Sequence, residues 1–332
     1  MGEFDLIERY FKRPARNAAL GVGDDCALWQ PTIGTQLAIS SDMLVEGRHF
    51  LSTVDPFKLG HKALAVNLSD LAACAARPLA FTLALALPRV DETWLAPFSQ
   101  GLFALADAHG CELIGGDTTR GPLNICITVF GEVPVVNGRS QALLRSGAQA
   151  GDDLYVSGTL GDARLALEVF RGTVSVPAAL FEVARLRMEQ PTPRVALGLA
   201  LRCIATAAID ISDGLLGDLG HILQQSGVGA TVNADTAATL VAAHACQTKT
   251  DGRLTTEISP DQWRDWALAG GDDYELLFTA PASQRAAVAT AAQASQTPVT
   301  RIGQIDMERG LRLVDAQGQA LPNRYSSFDH FA

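Results

Sequence analysis

Residues 59–76 read as one buried helix, because Leu64, Leu68, Leu71 and Ala75 recur at the spacing of a single helix face. Alanine and leucine favour that state, and Pro78 marks its stop. Asn67 and Asp70, three positions apart, share a different face of the same helix. A carboxylate there needs a cation or hydrogen bonds, or else it lies partly in solvent. Around this helix the pattern predicts a short amphipathic helix over 5–11, a strand over 36–41 and a buried strand over 79–87. A helix follows over about 91–109, closed by Gly110, then strands over 111–114 and 123–133. The second half alternates strand (154–157, 207–211, 276–279) with helix, and Pro191 and Pro193 separate two helices. The class is α/β (α+β) with a layered second half. The stretch 137–152 reads as a junction, so domains of 1–140 and 141–332 are expected, with one large α/β unit as the alternative.

Composition narrows the partners. The chain has 332 residues, 48% hydrophobic and 19% charged, with a net charge of −10. That describes an ordinary soluble protein and argues against nucleic acid or an anionic membrane as partner. It leaves room for anions carried by divalent cations. The run 79–87 is too short to span a bilayer. Six cysteines without a Cys-x-x-Cys pair, and no secretory leader, indicate a cytoplasmic chain.

Acidic residues gather beside glycines and strand ends. Gly21-Val22-Gly23-Asp24-Asp25-Cys26 lacks the third glycine of a dinucleotide fingerprint and reads equally as a solvated turn. Ser40-Ser41-Asp42 closes a predicted strand, and the loop after it carries Glu46, Arg48 and His49. In Gly115-Gly116-Asp117-Thr118-Thr119-Arg120-Gly121 the paired glycine exposes backbone N–H groups to a phosphate, while Asp117 can hold the metal on that phosphate. A plain β-turn is the alternative. Asp210-Ile211-Ser212-Asp213-Gly214 again puts acids between strand and helix, where Ser212 or Asp213 could instead be an N-cap. Ala269-Gly270-Gly271-Asp272-Asp273-Tyr274-Glu275 echoes both earlier patterns. Carboxylates and hydroxyls without zinc-spaced Cys or His suit a hard cation such as Mg²⁺. The four lysines (Lys12, Lys58, Lys62, Lys249) never follow a glycine, which rules out a Gly-Lys-Ser/Thr phosphate loop.

Residues 21–26, 40–42, 62–73, 115–121, 209–215, 270–276 and Asp329-His330-Phe331 together resemble the bacterial thiamine-monophosphate kinase family. That family lies within the aminoimidazole-ribonucleotide-synthetase-like ATP-binding superfamily. The resemblance implies a two-domain chain whose N-terminal domains pair into a β-barrel in a homodimer, with ATP at the subunit and domain junction. It implies the reaction ATP plus thiamine monophosphate to ADP plus thiamine diphosphate, with several Mg²⁺ ions. By motif, Asp25, Ser40, Ser41, Asp42, Asp70, Asp117, Asp210 and Asp213 would hold Mg²⁺. Gly116, Asp117, Arg145 and Ser212 would contact ATP, and His49, Asp272 and Phe328 the thiamine substrate. No catalytic residue is implied beyond the metal ligands. Three positions depart from the family pattern: Ser41 for a frequent Thr, Asp272 for Glu and Phe328 for Tyr. Another ATP-using member of the superfamily, a metal-dependent phosphohydrolase and a non-enzymatic cation-binding module are the competing readings.

Overall fold

The computed structural model describes residues 2–242 and 258–325, which fall into two compact units. One comprises 1–71 with 76–142, the other 72–75 with 143–332. No described helix is long and apolar enough to cross a membrane. Elements are numbered in chain order. The first unit holds α1 (Glu3–Tyr10), β1 (Thr35–Val45), α2 (Pro56–Ala73), β2 (Arg77–Leu87), α3 (Glu92–Ala108), β3 (Glu112–Arg120), β4 (Asn124–Val136) and β5 (Arg139–Ser140). Its sheet runs β1-β4-β2-β3, with β5 added to β4. Only β2 and β3 are parallel, as the α3 crossover between them requires.

Strand alternation divides this sheet into two unlike faces. Ser40, Asp42 and Leu44 pair across β1 and β4 with Val129, Ile127 and Ile125, and these pair onward with Phe81, Leu83 and Leu85 of β2. That face is the buried one, and α2 lies against it through Asn67 and Asp70. On the opposite face Leu37, Ile39 and Met43 are 45%, 60% and 54% exposed, which leaves an apolar surface uncovered within the chain. Helices α2 and α3 touch backbone to backbone. A Cβ on Gly60 would lie 2.0 Å from Phe98 O, and one on Gly101 1.8 Å from Phe57 O.

The second unit holds β6 (Asp152–Ser157), α4 (Asp162–Phe170), α5 (Ala178–Glu189), α6 (Val195–Ala200), β7 (Ala207–Asp210), α7 (Leu215–Ser226), β8 (Gly229–Asn233) and α8 (Ala234–Ala238). It continues with α9 (Pro260–Ala269), β9 (Leu276–Pro281), α10 (Arg285–Ala294), β10 (Val299–Asp306), β11 (Gly310–Val314) and β12 (Ala320–Leu321). Its sheet has the order β12-β11-β8-β10-β6-β9-β7. The core between sheet and helices is built from residues such as Leu154, Val156, Leu219, Ile222, Trp263 and Trp266.

Candidate active site

The first acidic group forms where α2 crosses β1. The predicted strand over 36–41 in fact runs to Val45, so Ser40, Ser41 and Asp42 sit mid-strand rather than at its end. Alternation then parts them. Ser40 Oγ donates to Asp70 Oδ2 at 2.5 Å, and the Asp42 N–H donates to Asn67 Oδ1 at 3.1 Å. Ser41 points the other way, its hydroxyl 2.9 Å from Thr128 Oγ1. Asn67 is buried and also donates to Ala63 O, so its carbonyl is locked toward β1. Burial, with the Asp70 charge beside it, pushes Asp42 up to about 6. Two close carboxylates, one of them resisting ionisation, are what a bound cation would relieve. His49 lies in the following turn, half-buried, with Nδ1 accepting the Val45 N–H at 3.0 Å.

The second group lines a cleft of about 600 Å³ at the β3 edge. Its lining includes Asp24, Asp25, Gly115, Gly116 and Asp117 together with the apolar Ile7 and Phe11. The strand expected over 111–114 in fact runs through Gly115 to Arg120, which excludes the alternative of a plain β-turn, and its register against β2 shifts at Phe81/Thr82. The glycine requirement at 116 is steric, since a Cβ there would lie 1.9 Å from Leu83 O and φ is +148°. Asp42, Ile127, Leu83 and Gly116 lie in one row across β1, β4, β2 and β3. At strand spacing, Asp42 and Gly116 are therefore roughly 14 Å apart. Within one chain the Asp42–Asp70 pair and Asp117 belong to separate groups.

The third group is in the second unit. Strand β7 ends at Asp210, paired with Leu276, and its line is prolonged by backbone bonds from Tyr274 N to Ile211 O and from Asp272 N to Ser212 O. This brings Asp210, Ser212 and Asp272 along one edge, with Asp213 next in the chain. Asp272 takes φ +61° to make the turn. Behind it Glu275, fully buried, accepts from Arg194 Nε (2.6 Å) and Nη2 (2.5 Å), Arg187 Nη2 (2.6 Å) and Ser157 Oγ (2.5 Å). Arg145 is exposed just before β6, its carbonyl accepting from Ser226 Oγ. Phe328 lies outside the described residues. Among the described residues no three acids, histidines or cysteines are gathered closely enough to hold an ion by themselves. Of the supporting residues, Asp218, Arg187 and Arg194 carry no motif of their own, whereas Asn67 lies within the 62–73 stretch, three positions from Asp70, and Glu275 closes the 269–275 stretch.

The two units correspond to two family models, those of the AIR synthase related proteins. The N-terminal domain model of that group matches residues 23–133 and the C-terminal one residues 149–316. A thiamine-monophosphate kinase of Salmonella typhimurium is 45% identical over 337 residues, spanning 100% of this chain and 98% of the relative. The crystal structure of the thiamine-monophosphate kinase from Stenotrophomonas maltophilia K279a is 47% identical. Each chain covers 96% of the other, with a TM-score of 0.81. A structure of AaThiL complexed with AMPPCP and TMP matches with TM-score 0.74 at 27% identity, over 91% of this chain and 89% of that one. The chain belongs to the thiamine-monophosphate kinase family.

Proposed function

We propose that this chain transfers the γ-phosphoryl group of ATP to thiamine monophosphate, giving ADP and thiamine diphosphate, the last step in making that diphosphate. The observation that carries this reading is the end-to-end identity of 45% with a thiamine-monophosphate kinase. The AaThiL complex with an ATP analogue and TMP, on the same fold, supports both substrates.

The acceptor is already a phosphate oxyanion, so the site needs no strong general base. Its task is to bring two anions together. Unit charges of like sign 4 Å apart cost about 1 kcal/mol in water and about 4 at an effective dielectric of 20. Bound Mg²⁺ would supply the opposing charge and in-line alignment. Asp25, Ser40, Ser41, Asp42, Asp70, Asp117, Asp210 and Asp213 are assigned to hold several such ions. The oxygen-only donor set and the strained Asp42–Asp70 pair fit a hard cation. Gly116, Asp117, Arg145 and Ser212 are assigned to ATP, and His49, Asp272 and Phe328 to the thiamine substrate. Asn67 holds the Asp42 backbone, and the Glu275–Arg187–Arg194 network holds the strand entry next to Asp272. Transfer is direct, without a phosphoenzyme.

Residues 1–140 are read as the ATP/Mg-binding and dimerisation domain and 141–332 as the α/β domain of a cytoplasmic homodimer. The uncovered apolar face of the first sheet, with β1 at its free edge, supports the dimer. Chromatography of purified protein with MgATP and thiamine monophosphate tests the reaction. Stoichiometric ADP and thiamine diphosphate, abolished by EDTA, are expected; free phosphate without diphosphate would make the chain a phosphohydrolase instead.

A further inference from the structure

Helix α7 starts in an unusual way. Its N-cap is Gly214, with φ +117° and no side-chain cap. The two residues before it that could have capped the helix, Ser212 and Asp213, do not. The backbone ahead of it is held by Asp218, inside the first turn of α7 and 3% exposed. Its Oδ2 accepts the backbone N–H of Ser212 at 3.1 Å and of Asp213 at 3.1 Å. Both N–H groups precede the Gly214 N-cap, and an ionised carboxylate is the strongest acceptor for a backbone N–H. The arrangement has a cost. Burial, and then the Asp213 charge, push Asp218 up to about 6.

We infer that Asp218 is a positioning residue. It holds the backbone of 212–213, ahead of α7, so that the side chains of Ser212 and Asp213 stay on the edge they share with Asp272. The inference rests on the assignment of Ser212 and Asp213 to ATP and Mg²⁺ made above. Its content is narrower: the backbone of 212–213 is held by a carboxylate that touches no ligand. When Asp218 is removed, the 212–213 backbone loses this anchor, and Ser212 is displaced from ATP and Asp213 from the cation.

The test uses the full chain with Asp218→Ala, Asp218→Asn and Asp213→Asn. Amide hydrogen exchange of the metal-free protein reads the backbone directly. Exchange at Ser212 and Asp213 should rise strongly in Asp218→Ala and be largely restored in Asp218→Asn, whose amide oxygen can still accept. The Mg²⁺ concentration for half-maximal diphosphate formation should rise about 10-fold in Asp218→Ala, as for other residues that orient metal ligands. kcat at saturating Mg²⁺ should change far less. Unchanged exchange at 212–213 in Asp218→Ala overturns the inference. So does a lower melting temperature with unaltered Mg²⁺ dependence, which would make Asp218 merely structural. If Asp218→Ala does not fold, the isosteric Asp218→Asn carries the Mg²⁺ measurement and a smaller shift in the same direction is required. An unaltered Mg²⁺ dependence in Asp213→Asn would instead refute the assignment of Asp213. The exchange result then still decides whether Asp218 holds the segment.

Discussion

Asp272 and Asp273 are neighbours with opposite environments. Asp272 is half-exposed in the turn, whereas Asp273 is buried, with Oδ1 accepting the Gly161 N–H at 2.9 Å and Oδ2 without a hydrogen-bond partner. Burial, and then the Asp162 charge, hold its carboxyl well above the ordinary range despite Arg187 nearby. Between the unfolded value of about 4 and that higher folded value, the native state holds more protons, so stability falls as pH rises. Asp273→Asn keeps the acceptor for Gly161 and removes the titration. Its advantage over the unmodified protein in urea midpoint should therefore grow from pH 4.5 to pH 8; a difference independent of pH would contradict the account. Asp70→Asn makes the complementary case in the first unit. The amide oxygen can still accept from Ser40, and the repulsion that raises Asp42 is relieved. The melting temperature should hold or rise, while diphosphate formation drops on the order of 100-fold or more. Near-normal turnover at ordinary Mg²⁺ would remove Asp70 from the site. The Asp-Asp and Gly-Gly-Asp patterns marked these neighbourhoods in the sequence. They could not say which acid of a pair is buried, because that depends on Gly161 and Asp162, more than a hundred positions away.

At the level of elements, α2 shows what local pattern can and cannot carry. Its buried leucines were legible from their spacing, and the helix spans Pro56–Ala73 where 59–76 was expected. The three-residue offset has a cause: Pro56 suits a first helical position, and Ala75 adopts φ +53°, which ends the helix before Pro78 does. The strand expected over 111–114 proved longer, running to Arg120, for a different reason. Glycine signals a turn locally, but here it admits the backbone of β2, a partner some thirty residues earlier. Close approach also explains Gly60 and Gly101, since mid-helix glycine is about 1 kcal/mol worse than alanine in propensity. Gly101→Ala should lose about 1–3 kcal/mol by forcing α2 and α3 apart. Gly220→Ala in α7, where a Cβ would meet nothing within 4 Å, should gain roughly 0.5–1 kcal/mol. Denaturant midpoints check both, and equal signs for the two would defeat the packing explanation.

For the whole molecule, the decisive fact is the roughly 14 Å between Asp42 and Gly116 across four strands. Oxygen ligands of one Mg²⁺ lie about 2.1 Å from the ion, so Asp42 and Asp117 of one chain cannot share it. If one ion needs both, Asp117 must come from a second copy. The proposed homodimer would supply it: β1 is an eleven-residue edge strand, and Leu37, Ile39 and Met43 line its exposed face. Ile39 points away from the Asp42 side, so Ile39→Glu should leave the Asp42–Asp70 pair intact yet yield monomers in sedimentation, with diphosphate formation lost. Mixing two inactive variants then tests the sharing itself. In a mixed dimer of Asp42→Asn and Asp117→Asn chains, one site collects both changes and the other collects neither. Random reassociation makes half the dimers mixed, so about a quarter of the full activity should return. If each chain built its site alone, every site would keep one lesion and mixing would restore nothing.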